Sequence, residues 1–167
     1  MRERQASGHA RRAREFEAFV AGAGGRLLHA ATLLTGEAPQ DTPRARRLLT
    51  LALAHTYACW DRLRGEDPYD RARQYLATRF ARGAWHEYGG FARPRPDPRS
   101  ALAVLTPQER LIVVLRLYEG VTDDQVAALL GLSLERVHTI CDRATATVLH
   151  PPRKRSPAVP EAKVAPS

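Results

Sequence analysis

Apolar positions recur along the chain at helical spacing, in two groups of three helices separated by a stretch that breaks the pattern. Phe16, Phe19 or Val20, Ala23, Leu27, Ala31 and Leu34 step by three and four and predict a helix over 16–34, ended by Gly36 and Pro39. Leu49, Ala52, Leu53, Thr56, Cys59, Trp60 and Leu63 predict a second helix, broken by Gly65, Asp67 and Pro68. Ala72, Tyr75, Leu76, Phe80 and Gly83 mark the inner face of a third, over 69–87. Residues 89–100 hold two Gly and three Pro; they cannot continue a helix and read as a linker.

The second group is more sharply punctuated. Thr106-Pro107-Gln108-Glu109 has the form of a capping box with proline at the first helical position, and Leu111, Val114, Leu115 and Tyr118 follow at core spacing up to Gly120. Thr122-Asp123-Asp124-Gln125 is a second box and opens a short helix with Val126, Ala127, Leu129 and Leu130 inward. Gly131 supplies the left-handed residue of a tight turn, and Ser133 caps a last helix striped by Val137, Ile140, Cys141, Ala144 and Val148. Two short helices joined by a Gly turn make a helix-turn-helix, whose second helix reads DNA from the major groove. With that stripe turned inward, the outward set contains Glu135, Arg136, His138, Thr139, Asp142 and Arg143, beside the cap Ser133. Arg136 has the fork to grip a guanine, Thr139 a hydroxyl for a base or phosphate, and Arg143 the charge for a phosphate. The same spacing also describes a plain helical hairpin with a solvated face.

Charge shifts the picture in two ways. The chain carries a formal +8, which favours a polyanionic partner, but residues 1–15 and 150–167 hold +3 each. Both ends read as disordered basic segments, solubilising or phosphate-seeking. Residues 107–149 set four arginines against six carboxylates, so the helix-turn-helix alone is expected to bind DNA weakly. Cys59 and Cys141 have no CxxC partner, no apolar run approaches a membrane span, and no hydrophobic signal segment follows the basic N-terminus; a cytoplasmic, reduced protein without a membrane partner is expected. The six histidines are scattered, and no Ser/His/Asp set, phosphate loop or metal-spaced cluster occurs, so the sequence predicts no enzyme, no catalytic residues, no cofactor and no metal. His55, near Tyr57 and Trp60, reads as structural.

The segment from Leu105 to Ala144, LTPQERLIVVLRLYEGVTDDQVAALLGLSLERVHTICDRA, resembles region 4 of the extracytoplasmic-function subfamily of sigma-70 factors, the short actinobacterial type above all. FEAFVAGAGGRLLHAATLLTGEA and ALAHTYACWDRLRGEDPYDRARQYLATRF are similar to region 2 of the same family. The resemblance implies an all-α protein of two small helical domains: a basic arm over 1–15, a region 2-like domain over 16–88, a linker over 89–104, a region 4-like domain over 105–149 and a tail over 150–167. It further implies binding to RNA polymerase core and promoter DNA to direct initiation, with an anti-sigma factor or another regulatory protein as a further partner. On that basis Thr78, Arg79, Arg82 and Trp85 become candidate −10 contacts. Arg46, Arg47, Thr50 and Leu51 become the candidate polymerase interface.

The contact positions depart from the family. Where it has an acidic stretch of the type AEDLVQEAL, this chain has Arg46-Arg47 and Thr50-Leu51; like charges facing across an interface cost several kcal/mol. Leu76-Ala77-Thr78 replaces an LVN step, and Glu135-Arg136-Val137-His138-Thr139 replaces GTVKS. Two functions therefore stand side by side: a promoter-directing sigma factor, and a degenerate sigma-like protein that works through protein contacts without opening promoters.

Overall fold

The computed structural model describes residues 2–63, 65–86 and 95–151, without the side chains of residues 2–6 and 84–86. Its elements are α1 (Arg2–Thr35), α2 (Pro43–Cys59) with a 3₁₀ turn at Trp60–Arg62, α3 (Pro68–His86), α4 (Pro107–Val113) running on as a π-helical turn (Val114–Tyr118), α5 (Asp123–Leu130) and α6 (Leu134–Leu149). Among the described residues there is no strand, only an isolated bridge between Ala38 and Asp41. The fold is all-α, with a three-helix unit (α1–α3) and a helix-turn-helix unit (α4–α6).

Two helices begin earlier than the apolar pattern predicts. Helix α1 starts at Arg2, so the arm expected to be disordered over 1–15 is helical from its second residue. Its outer half is fastened to the end of α2. The Arg12 guanidinium bonds Asp61 at 2.9 Å and the Tyr57 carbonyl, and stacks 4.3 Å over the Tyr57 ring. Phe16 packs edge-on to Trp60 and against Tyr57, with Phe19 completing the cluster. Helix α2 starts at Pro43 rather than near Leu49. Thr42 makes no side-chain cap; Glu37, in the preceding turn, accepts the N–H groups of Arg44 and Ala45 at 2.9 and 2.7 Å. A carboxylate there satisfies two orphan donors and faces the positive end of the helix dipole.

The helix-turn-helix unit is assembled as its sequence predicts. Both capping boxes close, Thr106 with Glu109 and Thr122 with Gln125, and the Ser133 hydroxyl caps α6. Gly131 adopts φ +65° at the turn, and Val137, Ile140, Cys141 and Ala144 are buried on α6.

The two units share a single apolar core, running from Ala30, Ala31 and Leu34 of α1 through Leu111–Leu115 to Val137 and Ile140. Helix α4 lies between them and is buried on every side from Arg110 onward, so Arg110, Ile112 and Val113 are covered along with the expected stripe. Arg110 reaches across the junction, donating from Nε to the carbonyl of Leu34 at the end of α1 and from a terminal nitrogen to that of Leu105, both at 3.0 Å. Part of the expected linker lies outside the described residues; the rest, from 95 to 104, is a set of turns docked on the first unit. The Asp97 amide bonds the Gly36 carbonyl at 2.8 Å, and Leu102 is buried in the shared core. The tail from 152 onward lies outside the described residues.

Candidate nucleic-acid interface

Helix α6 carries the expected reading face. Glu135, Arg136, His138, Thr139 and Arg143 are all exposed, because each lies off the Val137–Ile140–Ala144 stripe that faces the core. Exposure does not make them equally available. The Ser133 hydroxyl is engaged by the Arg136 amide at 3.2 Å, and the Thr139 hydroxyl donates back to the Glu135 carbonyl at 2.9 Å. His138 Nε2 lies 2.5 Å from Asp123, the first residue of α5, which also pairs with Arg116. Arg143 bonds Glu109, on the first turn of α4, at 2.9 and 3.1 Å. Burial alone raises the Glu109 pKa, but the Thr106 amide, the Thr106 hydroxyl and Arg143 outweigh it and hold the carboxyl below its ordinary value. The Arg143 guanidinium and the His138 ring are thus tied to carboxylates at the starts of the supporting helices. Arg136 is exposed, and among the described residues its guanidinium pairs with no carboxylate.

In the first unit the candidates fall on two helices. Arg46, Arg47 and Thr50 are exposed on α2, the Thr50 hydroxyl bonded back to the Arg46 carbonyl at 2.9 Å. Leu51 does not stand with them alone: it shares a cleft of about 430 Å³ between α2 and α3 with Thr78, Arg79 and Arg82. The structure therefore brings one member of the candidate polymerase set together with three of the four candidate −10 residues. The fourth, Trp85, lies on α3, and its side chain falls outside the described residues.

The residues that join the units were not singled out by the sequence pattern. Glu119, which follows the π-turn, has a side chain only 1% exposed. Tyr69 of α3 donates its phenol to this carboxylate at 2.9 Å, while Arg26 of α1 and Arg73 of α3 stand 3.7 and 3.9 Å away. Burial, then the bond to Glu119, drives the Tyr69 pKa far above its ordinary value, so the phenol stays a donor. Nothing local flagged Glu119: Arg116, three positions earlier, reads as its helical partner, whereas Tyr69, Arg26 and Arg73 come from distant elements.

Among the described residues no group of three or more His, Cys, Asp or Glu is placed to hold a metal ion, and no helix is long and apolar enough to cross a membrane.

Helices α4–α6, with their two boxes, Gly turn and exposed α6 face, define a helix-turn-helix module of the DNA-reading kind. Residues 101–148 match the family described as Sigma-70, region 4. No curated protein matches the chain. The match supports a relationship to the sigma-70 family in the broad sense, and with it sigma-factor-like DNA binding and association with RNA polymerase. Region 4 is a regulatory DNA-binding domain, not an enzyme family.

Proposed function

We propose that this chain is a sigma-factor-like transcription regulator that binds RNA polymerase core and promoter DNA to direct initiation. The observation that carries the proposal is the exposed α6 face bearing Arg136, set on a segment that matches sigma-70, region 4. Residues 105–149 are the −35-reading domain, with Ser133, Glu135, Arg136, His138, Thr139 and Arg143 at the DNA. Residues 16–88 are the region 2-like domain, with Thr78, Arg79, Arg82 and Trp85 at the −10 element and Arg46, Arg47, Thr50 and Leu51 toward polymerase. The protein acts in the cytoplasm as a short actinobacterial extracytoplasmic-function type, under an anti-sigma factor or another regulatory protein. Run-off transcription with core polymerase on genomic fragments tests this: specific transcripts are expected, and Arg136→Ala abolishes them. A protein that does not bind core polymerase sinks the proposal.

One observation favours a second reading, a sigma-like regulator that works through protein contacts without opening promoters. Arg46 and Arg47 are exposed on α2, where the resemblance to the family calls for acid. Converting them to Glu and Asp together strengthens core binding if α2 faces the polymerase clamp; unchanged affinity removes α2 from that interface.

A further inference from the structure

The hydrogen-bonding sense of His138 is set from outside its own helix. Its Nε2 lies 2.5 Å from an oxygen of Asp123, the first residue of α5. An ionised carboxylate only accepts, so the hydrogen of a neutral imidazole facing it sits on Nε2 and leaves Nδ1 a bare lone pair. The other carboxylate oxygen of Asp123 pairs with the Arg116 guanidinium, which also donates to the Val121 carbonyl at 3.4 Å. The carboxylate is therefore held from both sides. Its side chain is 18% exposed, whereas that of His138 is 51% exposed. Among the described residues Nδ1 of His138 has no partner. Its neighbours on the outward face are committed elsewhere: the Thr139 hydroxyl to the Glu135 carbonyl, and Arg143 to Glu109.

An acceptor with nothing to accept, on the helix that the proposed function sets in the major groove, discriminates between bases. Adenine and cytosine present an amino group there, which donates; guanine presents O6 and N7, and thymine O4, which accept. A bare imidazole nitrogen bonds the first pair and repels the second. We infer that Asp123 is a positioning residue that fixes the tautomer of His138, and that His138 thereby selects an amino-bearing base, adenine or cytosine, at the position it meets. This deepens the proposed function: it rests on that reading for the placing of α6 at DNA, and adds the role of Asp123, braced by Arg116, and the class of base read.

The test is selection of duplexes from a randomised pool by the full chain, with and without core polymerase, at low salt and in buffer above the range in which histidine ordinarily protonates. The position read by His138 is the one whose base preference His138→Ala flattens. There the wild type is expected to favour adenine or cytosine by roughly fivefold, the worth of one net hydrogen bond. Asp123→Asn gives a readout that a merely structural role would not move. Arg116 keeps the amide oxygen, the amide nitrogen turns to the ring and donates to Nε2, and the imidazole hydrogen moves to Nδ1. The favoured base at that position is then expected to switch to guanine or thymine, while preferences elsewhere in the selected sequences stay as in the wild type. A wild type that favours guanine or thymine there overturns the inference, as does an Asp123→Asn variant that keeps the wild-type base, or a His138→Ala variant that flattens no position. A wild type that enriches no duplex in either condition overturns the DNA-reading role of α6, and the inference with it; enrichment without the switch overturns the inference alone.

Discussion

At the scale of single residues, carboxylates bear on stability and, on the proposed function, on access to DNA. Glu37 joins the α1–α2 turn to the start of α2. Burial raises its pKa, but the amides of Arg44 and Ala45, the Thr35 hydroxyl and the Arg44 guanidinium together lower it below its ordinary value. A carboxyl with a lowered folded pKa contributes stability that is complete above its unfolded pKa and is lost as pH falls through the folded one. Thermal melts are therefore expected to be flat down to about pH 5 and to fall below it, with Glu37→Gln shallower in acid and about 1 kcal/mol less stable at neutral pH. An unchanged acid limb in the variant removes Glu37 from the account. On the proposed function, Glu109 bears on DNA instead. Glutamine is also a capping-box residue, so Glu109→Gln keeps the start of α4 while releasing Arg143. Duplex affinity is expected to rise by roughly threefold at low salt, an advantage that shrinks as salt is added, since the gain is electrostatic. A gain that persists at high salt points to a new direct contact rather than a freed charge.

At the scale of elements, what could be read from the sequence depended on whether the signal was local. The helix-turn-helix was legible almost in full, because Thr106/Glu109, Thr122/Gln125, Gly131 and Ser133 act on neighbours within four residues. The start of α2 was not, because its cap comes from Glu37, six positions before Pro43. The helical state of residues 2–15 was hidden for a related reason: the groups that hold it, Tyr57 at the end of α2 and Trp60 and Asp61 in the turn after it, lie more than forty positions from Arg12 and Phe16. The outward face of α6 was legible, but the engagement of His138 and Arg143 by Asp123 and Glu109 needs three helices in place. The stretch before α4 has the prolines of a spacer, yet Pro96 is seated against Gly36. Gly36 is left-handed at φ +66°, and a side chain there would place its Cβ 2.9 Å from Pro96. Gly36→Ala thus combines an unfavourable backbone with a clash, and is expected to cost about 2 kcal/mol in denaturant unfolding. An effect below about 0.5 kcal/mol would mean that residues 95–104 are not held on the first unit.

At the scale of the molecule, the units are joined by apolar core and, among the described residues, by polar ties that include Arg110 on the Leu34 carbonyl, Arg26 on the Tyr118 carbonyl, and Glu119 among Tyr69, Arg26 and Arg73. The seam is not filled throughout. A cleft of about 410 Å³ remains between α3 and α5, bordered by Asp70, Arg73, Gln125 and Leu129, so closure depends heavily on the groups around Glu119. On the proposed function, units that read two promoter elements have to part, and the parting breaks these same ties while leaving the capping boxes of α4–α6 whole. Glu119→Ala removes the shared acceptor and leaves Tyr69 and Arg73 facing a vacated, buried position, a loss of about 3 kcal/mol by analogy with other broken buried pairs. Because Arg26 is half exposed and recovers water, the loss lies toward the lower side of that range. Hydrogen exchange is expected to rise at the junction, over residues 95–121 and the end of α1, while amides at Val137, Ile140 and Ala144 keep their protection. Small-angle scattering of the same variant is expected to give a larger radius of gyration. If exchange rises equally through α5 and α6, Glu119 supports the whole fold and not the junction; if neither measurement changes, the apolar core alone keeps the two units closed.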